Sequence, residues 1–301
     1  MPSRRIAAAA VTALVVVLLA VGTYFGAWRQ SGGNPGYAAV IEGCGILTMS
    51  PANTDWRFNC LNGIWSAVSV SGDGKTLAWD TRNGIDVANA DLSNPRLPTL
   101  PAGANVEPSL SPDGRKVAFL HSPKDDGKYD VWVVTVSAVD DAQQLTSSRD
   151  VSSDAWSPAG DWIAYVKGWS EQTLVGDIML IHPNGTGERK IARGDAPAWS
   201  PDGSQLAFVR DNKIWTIDTD GTGEHVLIDN AHAPAWSRDG SILSFSREDP
   251  CGKAVCTEHV YYMKAGRPST VKLVGPVFTG SRRVLWVTGR SVSKPPPTAS
   301  K

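Results

Sequence analysis

Short apolar runs alternate with polar turns along most of this chain, and the pattern repeats at a spacing of about forty residues. A typical unit contains the runs 206–209 (LAFV), 214–217 (IWTI) and 226–228 (VLI), with a turn at 220–223 (DGTG) before the last of them. Runs of this length bounded by Asp, Ser, Pro and Gly predict strands joined by hairpins. The pattern between residues 37 and 290 lacks the long apolar periodicity of helices. Each unit is therefore predicted to hold four strands.

The turn that opens each unit has a recurring sequence, seen most clearly at 200–203 (SPDG). Ser at the first position, Pro at the second and Gly at the fourth are residues that a type I turn favours. Copies of this turn start at Ser71, Ser111, Ser157, Ser200, Ser237 and, most weakly, Thr279. A four-stranded sheet repeated radially is the blade of a β-propeller. The sequence therefore predicts an all-β, six-bladed β-propeller.

The two ends of the repeat region predict how the ring closes. Residues 45–50 and 57–61 have the pattern of a hairpin that forms the outer half of a blade, whereas the last copy, ending near Val287, holds only an inner half. We expect the two pieces to join in one sheet, because this removes the exposed edges that an open ring would carry. The predicted propeller spans residues 37–290.

The N-terminal segment predicts a membrane anchor. Residues 6–27 contain no charged residue and follow Arg4 and Arg5, a pattern typical of a transmembrane helix whose N-terminus is cytoplasmic. A cleaved signal peptide ending at 20–22 (AVG) is the alternative, although the apolar run is longer than the usual core of about 7–15 residues. We expect a single-pass protein of the cell membrane with its propeller on the periplasmic or extracellular side.

The remaining segments follow from composition and complete the expected domain organisation. The short stretch after the anchor is rich in Gly, and the C-terminus is rich in Pro and Ser, so neither is expected to fold. The expected segments are a cytoplasmic stub at 1–5, the transmembrane helix at 6–28, a flexible linker at 29–36, the propeller at 37–290 and a disordered tail at 291–301.

Charge and cysteine content fit an extracytoplasmic domain. The 301 residues carry a formal net charge of -1, so nothing indicates a nucleic-acid partner. Cys44 and Cys60 lie on either side of the turn at 50–54, and Cys251 and Cys256 flank a short loop, so we expect two local disulfides. Four cysteines allow three connectivities, and free thiols are the alternative.

The sequence contains no recognisable catalytic or metal-binding motif. The five histidines, at positions 121, 182, 225, 232 and 259, do not form a His-Glu-x-x-His or His-x-His motif, and no Cys-x-x-Cys, Gly-x-Ser-x-Gly or phosphate loop is present. The segment 218–223 (DTDGTG) resembles a calcium loop but lacks the later acidic ligands, so it is interpreted as a hairpin turn. We expect a monomeric, non-enzymatic protein without a cofactor, with calcium in the channel as an alternative.

A binding site is expected where the first strand of each blade begins, since these strands line the central channel. The polar residues at these strands are Asn105, Glu107, Asp154, Asp195 and His232. Three carboxylates that converge on one axis could hold a cation or a basic peptide end, and their repulsion would raise at least one pKa. A water-filled channel is the alternative. Trp156, Trp199 and Trp236 recur at one position and are predicted to pack between blades rather than to stack on sugars.

The repeat resembles the propeller repeats of the TolB family. The resemblance rests on the Trp-Ser-Pro-Asp-Gly turn, the following Leu-Ala-Phe run and the later Asp-Gly-Thr-Gly turn, and it covers residues 37–290, most strongly repeats two to five. It implies a six-bladed extracytoplasmic propeller, which in TolB itself docks protein partners of the cell envelope. TolB also has a cleaved signal and a separate N-terminal α/β domain, and neither is evident here.

These observations lead to three hypotheses of different classes. The first is a membrane-anchored, non-catalytic module that binds a protein or peptide of the envelope. The second is a small-ligand or carbohydrate sensing domain, for which exposed tryptophans on one face would be the sign. The third is a calcium-dependent hydrolase or lactonase, which requires Glu107, Asp154 and Asp195 to converge.

Overall fold

The computed structural model describes residues 37–41, 45–49, 56–59, 67–90, 92–138, 141–248, 258–276 and 284–285. Their regular structure is β-strand throughout, apart from one 3₁₀ turn at Pro268–Thr270. Within these ranges no helix has the length and apolar character needed to cross a bilayer. The predicted anchor, linker and tail and all four cysteines lie outside the described residues, so those expectations stay predictions.

The strands form antiparallel hairpins in chain order. They are β1 (Tyr37–Ile41), β2 (Gly45–Met49), β3 (Trp56–Asn59), β4 (Val68–Val70), β5 (Thr76–Thr81), β6 (Gly84–Asn89), β7 (Ala104–Leu110), β8 (Lys116–Ser122), β9 (Asp130–Thr135), β10 (Gln143–Gln144), β11 (Val151–Trp156), β12 (Ile163–Ser170), β13 (Val175–Ile181), β14 (Arg189–Trp199), β15 (Gln205–Arg210), β16 (Lys213–Asp218), β17 (His225–Asp229), β18 (His232–Trp236), β19 (Ile242–Glu248), β20 (Glu258–Lys264), β21 (Lys272–Pro276) and β22 (Val284–Leu285).

Hydrogen-bonded pairing divides the described strands into six blades. Blade 1 is β4–β6, blade 2 is β7–β10, blade 3 is β11–β13 with the first half of β14, blade 4 is the second half of β14 with β15–β17, blade 5 is β18–β21, and blade 6 is β22 with β1–β3. Residues up to Gly194 of β14 pair with β13, and Asp195 onward pairs with β15. One long strand thus leaves blade 3 and begins blade 4 without a loop.

The apolar runs form strands that are buried on both faces. In β8, Val117 and Phe119 belong to the core between blades 1 and 2, whereas Ala118 and Leu120 belong to the core between blades 2 and 3. Because successive side chains point to opposite faces of a sheet, a strand between two cores needs a continuous apolar run. Burying a side chain as large as Phe119 contributes about 1.5–3 kcal/mol.

The recurring turn is held by its own Ser and Asp side chains. In blade 2, the Ser111 hydroxyl donates to Asp113 Oδ1 at 2.7 Å and accepts the Lys116 N–H at 2.9 Å. Gly114 adopts a φ of 67° and donates its N–H to the Ser111 carbonyl at 2.9 Å, as a type I turn ending in Gly requires. Blades 1, 4 and 5 repeat this arrangement.

The turns pack against one another around one face of the propeller. A Cβ atom added to the turn glycine of one blade would meet the turn proline of the preceding blade, at 3.4 Å from Pro112 for Gly160 and at 3.9 Å from Pro158 for Gly203. The first strands β4, β7, β11, β14, β18 and β22 contact each other in that order, and β22 also contacts β4. The ring is therefore closed around the first strands, and the prediction of an all-β propeller is confirmed.

Two details of the blades differ from the sequence expectations. Blade 1 has three described strands, and its fourth is reduced to one bridge between Val87 and Arg96. Pro95, Pro98 and Pro101 lie in this segment, and because proline has no N–H to donate, a ladder cannot form there. The expectation of four strands in every repeat is wrong for this blade.

The closing blade takes three strands from the N-terminal side rather than two. β1 (Tyr37–Ile41) pairs with both β2 and β22, so strands from the two ends of the chain share one sheet. Strand β1 was not predicted, because the short run 37–41 (YAAVI) carries no polar alternation and directly follows the Gly-rich segment.

Candidate functional site

The residues predicted to line the channel mouth lie on four neighbouring first strands. Asn105 and Glu107 are on β7, Asp154 is on β11, Asp195 is on β14 and His232 is on β18. Each of these strands contacts the next around the ring. The fold thus brings segments that are far apart in the sequence to the same inner wall.

Each of the four strands has a β-bulge at this level. Pairing with the second strand of the blade is interrupted between Val106 and Ser109, Val151 and Asp154, Asp195 and Ala198, and His232 and Ala235. Bulges bend a strand and redirect side chains, and they are frequent beside functional sites. A repeated bulge at the same place in four blades therefore defines the level of the candidate site.

In three blades the bulge contains a residue with a left-handed backbone. Glu107, Ala196 and Ala233 have φ values of 52°, 48° and 49°, and each precedes a proline. A left-handed conformation costs a non-glycine residue roughly 1–2 kcal/mol, so the surrounding structure must hold it. The dipeptides Glu-Pro, Ala-Pro and Ala-Pro at one place in three repeats are the sequence signal that would have located these bulges.

The predicted site residues do not occupy one equivalent position. Asp195 and His232 are equivalent, since each is the last paired residue before its bulge, and both are partly exposed. Glu107 lies within the bulge of β7, whereas Asp154 pairs with Tyr165 directly after the bulge of β11. The polar groups are therefore spread along the wall rather than gathered at one height.

Asn105 is buried and its side-chain amide is occupied by the protein itself. The amide nitrogen donates to the carbonyl oxygens of Pro101 and Gly103 at 3.0 and 3.1 Å. Its Oδ1 lies 2.9 Å from His121 Nδ1, which must carry the proton because a carbonyl oxygen only accepts. Burial lowers the pKa of His121. Its ring packs edge-on against Trp132, with the two ring centroids 5.0 Å apart. These contacts favour a structural role for Asn105, and its binding role stays a prediction.

Asp80, on the second strand of blade 1, is a buried acid beside Glu107 that was not predicted from the sequence. Its side chain is fully buried; Oδ1 accepts the Ala67 N–H at 2.9 Å and Oδ2 accepts the Glu107 N–H at 3.3 Å. One carboxylate therefore links blade 1 to blade 2 and holds Glu107 in its left-handed conformation. The equivalent positions of blades 2 and 4 hold the apolar residues Leu120 and Val209. An Asp in place of an apolar residue at the end of such a run was therefore the sequence signal for a buried acid.

Strand β11 of blade 3 carries buried polar atoms that have no hydrogen-bond partner among the described residues. These atoms are Ser152 Oγ, Ser153 Oγ and Trp156 Nε1. Leaving such a group buried and unsatisfied costs about 1–3 kcal/mol. By contrast, the Ser109 hydroxyl on β7 accepts the Trp156 backbone N–H at 3.1 Å. The sequence analysis did not single out Ser152 or Ser153, since serine is unremarkable in a strand that borders a turn.

The recurring tryptophans pack between blades, as expected. Trp156 belongs to the core between blades 2 and 3, and Trp199 and Trp236 pack against the next two inter-blade cores. Trp199 also donates its indole N–H to the Ala155 carbonyl of the preceding blade at 3.1 Å. These side chains therefore join neighbouring blades and do not form an exposed stacking platform.

The described residues contain no group of three or more His, Cys, Asp or Glu side chains arranged to hold a metal ion. No such group is formed by Glu107, Asp154 and Asp195 in this part of the chain, and the calcium alternative stays a prediction. The segment 218–223 is a hairpin turn, in which Gly221 donates to the Asp218 carbonyl at 2.8 Å and Thr222 donates to Asp220 Oδ1. The interpretation of this segment as a hairpin turn is therefore confirmed.

Comparisons with known proteins agree on the fold. No family model matches the chain. In sequence, it is similar to the uncharacterized protein YidR of Escherichia coli K12, with 27% identity over 119 residues, which is 36% of this chain and 26% of that protein. The match therefore spans about a quarter of YidR and about a third of this chain.

Two similar solved structures are TolB proteins. The protein of Agrobacterium tumefaciens is 18% identical with a TM-score of 0.65, and the match covers 86% of this chain and all of that one. The protein of Acinetobacter baumannii is 14% identical with a TM-score of 0.66, covering 84% of this chain and 66% of that one. The resemblance drawn from the repeats is thus confirmed at the level of the fold, which is that of a TolB-like β-propeller.

An enzyme has a similar fold as well. An oligogalacturonate lyase whose structure contains manganese is 13% identical with a TM-score of 0.60, and the match covers 78% of this chain and 72% of that one. Because one fold carries many functions, these likenesses do not choose between a binding protein and an enzyme.

Proposed function

We propose that this chain is a non-catalytic, membrane-anchored β-propeller that binds a protein or peptide of the cell envelope at the mouth of its channel. The observation that carries the proposal is the distribution of Glu107, Asp154, Asp195 and His232 over four neighbouring first strands. Groups spread over several blades suit an extended ligand with several contact points. A single ion would need its ligands close together.

The charge of the channel wall also supports binding of a peptide or protein, and it indicates that the bound part of the partner is positively charged. Three of these four residues are carboxylic acids, and negative groups on a channel wall attract a ligand that presents ammonium or guanidinium groups. The TolB resemblance adds a protein that uses this fold to dock envelope partners. The apolar segment 6–28 would hold the propeller at the membrane and place it outside the cytoplasm.

The proposal is tested by cross-linking the full-length protein in its own membrane and identifying what is captured with it. The variant for comparison is the triple substitution Glu107→Gln, Asp154→Asn and Asp195→Asn, which removes three charges but keeps the size of the side chains. A matched control removes three exposed charges elsewhere.

The control substitutions are Asp125→Asn, Glu171→Gln and Asp211→Asn, all at exposed positions. We expect one envelope protein to be captured by the wild type and the control but lost from the channel variant. Equal capture by all three proteins would contradict a site at the channel mouth, and no specific capture by the wild type would contradict protein binding.

Small-ligand or carbohydrate sensing is the alternative, together with a calcium-dependent hydrolase or lactonase. The fold likeness to an oligogalacturonate lyase is the observation in its favour. The three carboxylates of the channel wall disfavour an anionic sugar chain as the ligand, because they would repel it. A rise in Tm with oligogalacturonate, alone or with calcium or manganese, would favour this alternative.

A further inference from the structure

The bulge of β11 differs chemically from the bulges beside it. Its two unpaired positions hold Ser152 and Ser153, and Asp154 follows. The corresponding residues of blade 4 are Ala196 and Pro197, whose side chains make no hydrogen bonds. The propeller therefore does not need polar side chains at this level in order to form the bulge.

Two hydroxyls and one indole of β11 are buried without a hydrogen-bond partner among the described residues. Ser153 is only 6% exposed, yet its hydroxyl has no hydrogen-bond partner among the described residues, and the same holds for the hydroxyl of Ser152 and the indole N–H of Trp156. Native proteins rarely leave buried polar groups unsatisfied unless a ligand or water completes them. Three such groups on one six-residue strand therefore mark a place that a ligand or water would complete, and the two hydroxyls are the distinctive part, since the indoles of Trp132, Trp169 and Trp236 are unpartnered as well.

We propose that β11 binds the terminal ammonium group of a peptide chain. Ser152 and Ser153 would accept two of its three N–H donors, and the carboxylate of Asp154 supplies the opposite charge beside them. The indole N–H of Trp156 can only donate, and the first carbonyl group of a peptide is a suitable acceptor for it. This inference rests on the proposed function, because it names the chemical group of the peptide that the channel recognises.

The surrounding charges favour a cation over an anion at this place. Glu107 and Asp195 lie on the first strands on either side of β11, so negative groups flank the serines. A phosphate or carboxylate would be repelled by all three acids, whereas an ammonium group is attracted by them. A metal ion is disfavoured as the occupant, since no metal-binding group of side chains is present in the described residues.

The test measures binding of tetraalanine with a free amino terminus to the full-length protein in detergent micelles, by titration calorimetry at pH 7. N-acetyl-tetraalanine lacks the charge and is the matched ligand control. We expect the Kd of tetraalanine to rise about tenfold or more in the double variant Ser152→Ala and Ser153→Ala, since hydrogen bonds to a charged group are lost. Ser170→Ala on an exposed hairpin is the matched protein control and should bind as the wild type does.

Two further measurements separate recognition from folding. The double variant should have a Tm equal to or above that of the wild type, because the two hydroxyls have no protein partner to lose and their removal relieves unsatisfied buried groups. Binding should also weaken when the pH is raised well above 8, since the α-amino group then loses its proton. A merely structural role of the serines would lower Tm and leave the pH dependence unchanged.

The outcomes distinguish this inference from the proposed function. Equal affinity for the acetylated peptide, no binding of tetraalanine at millimolar concentration, or an unchanged Kd in the double variant would each overturn the ammonium assignment. If an envelope protein is still captured through the channel mouth in that case, the proposed function stands. Binding of galacturonate that is weakened by the same double variant would assign β11 to a carbohydrate instead.

Discussion

The first strands of blades 3 and 4 have the same interruption in their pairing but different side chains within it. In blade 4 the interruption contains Ala196 and Pro197, and Ala196 has a left-handed backbone. In blade 3 it contains Ser152 and Ser153, neither of which has a positive φ. The Ser152 and Ser153 hydroxyls of blade 3 are buried without a partner among the described residues, whereas blade 4 has no side-chain hydrogen-bonding group there.

This difference separates what the fold requires from what a function can use. The bulge recurs in four blades, so it belongs to the way these blades approach the channel axis. The side chains in it are not constrained by that geometry, because alanine and proline satisfy it as well as serine does. At the level of the bulge, blade 3 is therefore where serines replace the alanine and proline of blade 4.

The largest effect on stability is expected at Asp80, whose carboxylate accepts the Glu107 N–H in the bulge of blade 2. Asp80→Val should lower the free energy of unfolding by about 2–4 kcal/mol, because the N–H groups of Ala67 and Glu107 lose a buried acceptor. Urea unfolding followed by tryptophan fluorescence measures the change. Asp80→Asn keeps one acceptor oxygen and should lose about half as much. A valine variant as stable as the wild type would show that this carboxylate does not hold the two blades together.

A second comparison makes the same substitution in two first strands. Ser109→Ala should cost about 1–2 kcal/mol, since the buried Trp156 N–H loses the hydroxyl that it donates to. Ser153→Ala should not lower stability and should raise it by up to about 1 kcal/mol, because its hydroxyl has no partner to lose and its removal relieves an unsatisfied buried group. Both values come from denaturant unfolding under identical conditions. Equal losses in the two variants would mean that Ser153 is structural.

The backbone difference between the blades predicts opposite signs for glycine. Ala196→Gly should raise stability by about 0.5 kcal/mol, because glycine adopts a φ of 48° without strain. Ser153→Gly should lower stability by about 0.5–1 kcal/mol, since a strand residue with a negative φ only loses chain entropy on the change. Thermal unfolding of the two variants compares them. Changes of the same sign would contradict the different backbones of the two bulges.

The smallest effect concerns the opening turns and their pH dependence. The hydroxyl of Ser200 and the N–H of Ser204 donate to Asp202, and these hydrogen bonds lower its pKa in the folded protein. The resulting stability is present above the unfolded pKa of about 3.9 and is lost as the pH falls through the folded value. Since Asp202 is exposed, the contribution should stay under about 1 kcal/mol.

Asp202→Asn tests this contribution by unfolding at pH 6 and at pH 2.5. The variant should be less stable than the wild type at pH 6, and the gap should close at pH 2.5. Asp211→Asn, at an exposed position outside these turns, is the matched substitution. A gap that stays constant between the two pH values would exclude the carboxylate of the turn as its cause.

The sequence predicted the parts of the fold that depend on neighbouring residues. Ser111, Asp113 and Gly114 form their turn from local hydrogen bonds, so the repeat of such turns was enough to place the hairpins. The apolar runs followed from burial on both faces. The loss of the fourth strand in blade 1 could have been predicted as well, since three prolines stand in that segment.

The candidate site was predicted less completely. The sequence placed Glu107, Asp154, Asp195 and His232 on first strands, but their heights were not assigned, because each bulge shifts the register. Proline dipeptides mark three of the bulges, whereas the bulge of β11 has no such local signal. It also missed Asp80, whose partners lie in two different blades. The unsatisfied hydroxyls of Ser152 and Ser153 could not be predicted from the sequence, because whether a hydroxyl has a partner depends on every segment packed around it.

The sequence by itself determined that this protein is a ring of β blades, because strand periodicity, turn residues and the forty-residue repeat are all local properties of the chain. Only the tertiary structure decided which polar residues share the channel wall and which buried groups remain unsatisfied there. The physical reason is that a hydrogen bond between blades joins residues separated by a whole repeat, as Asp80 and Glu107 are. Such a bond exists only after the blades have closed around a common axis.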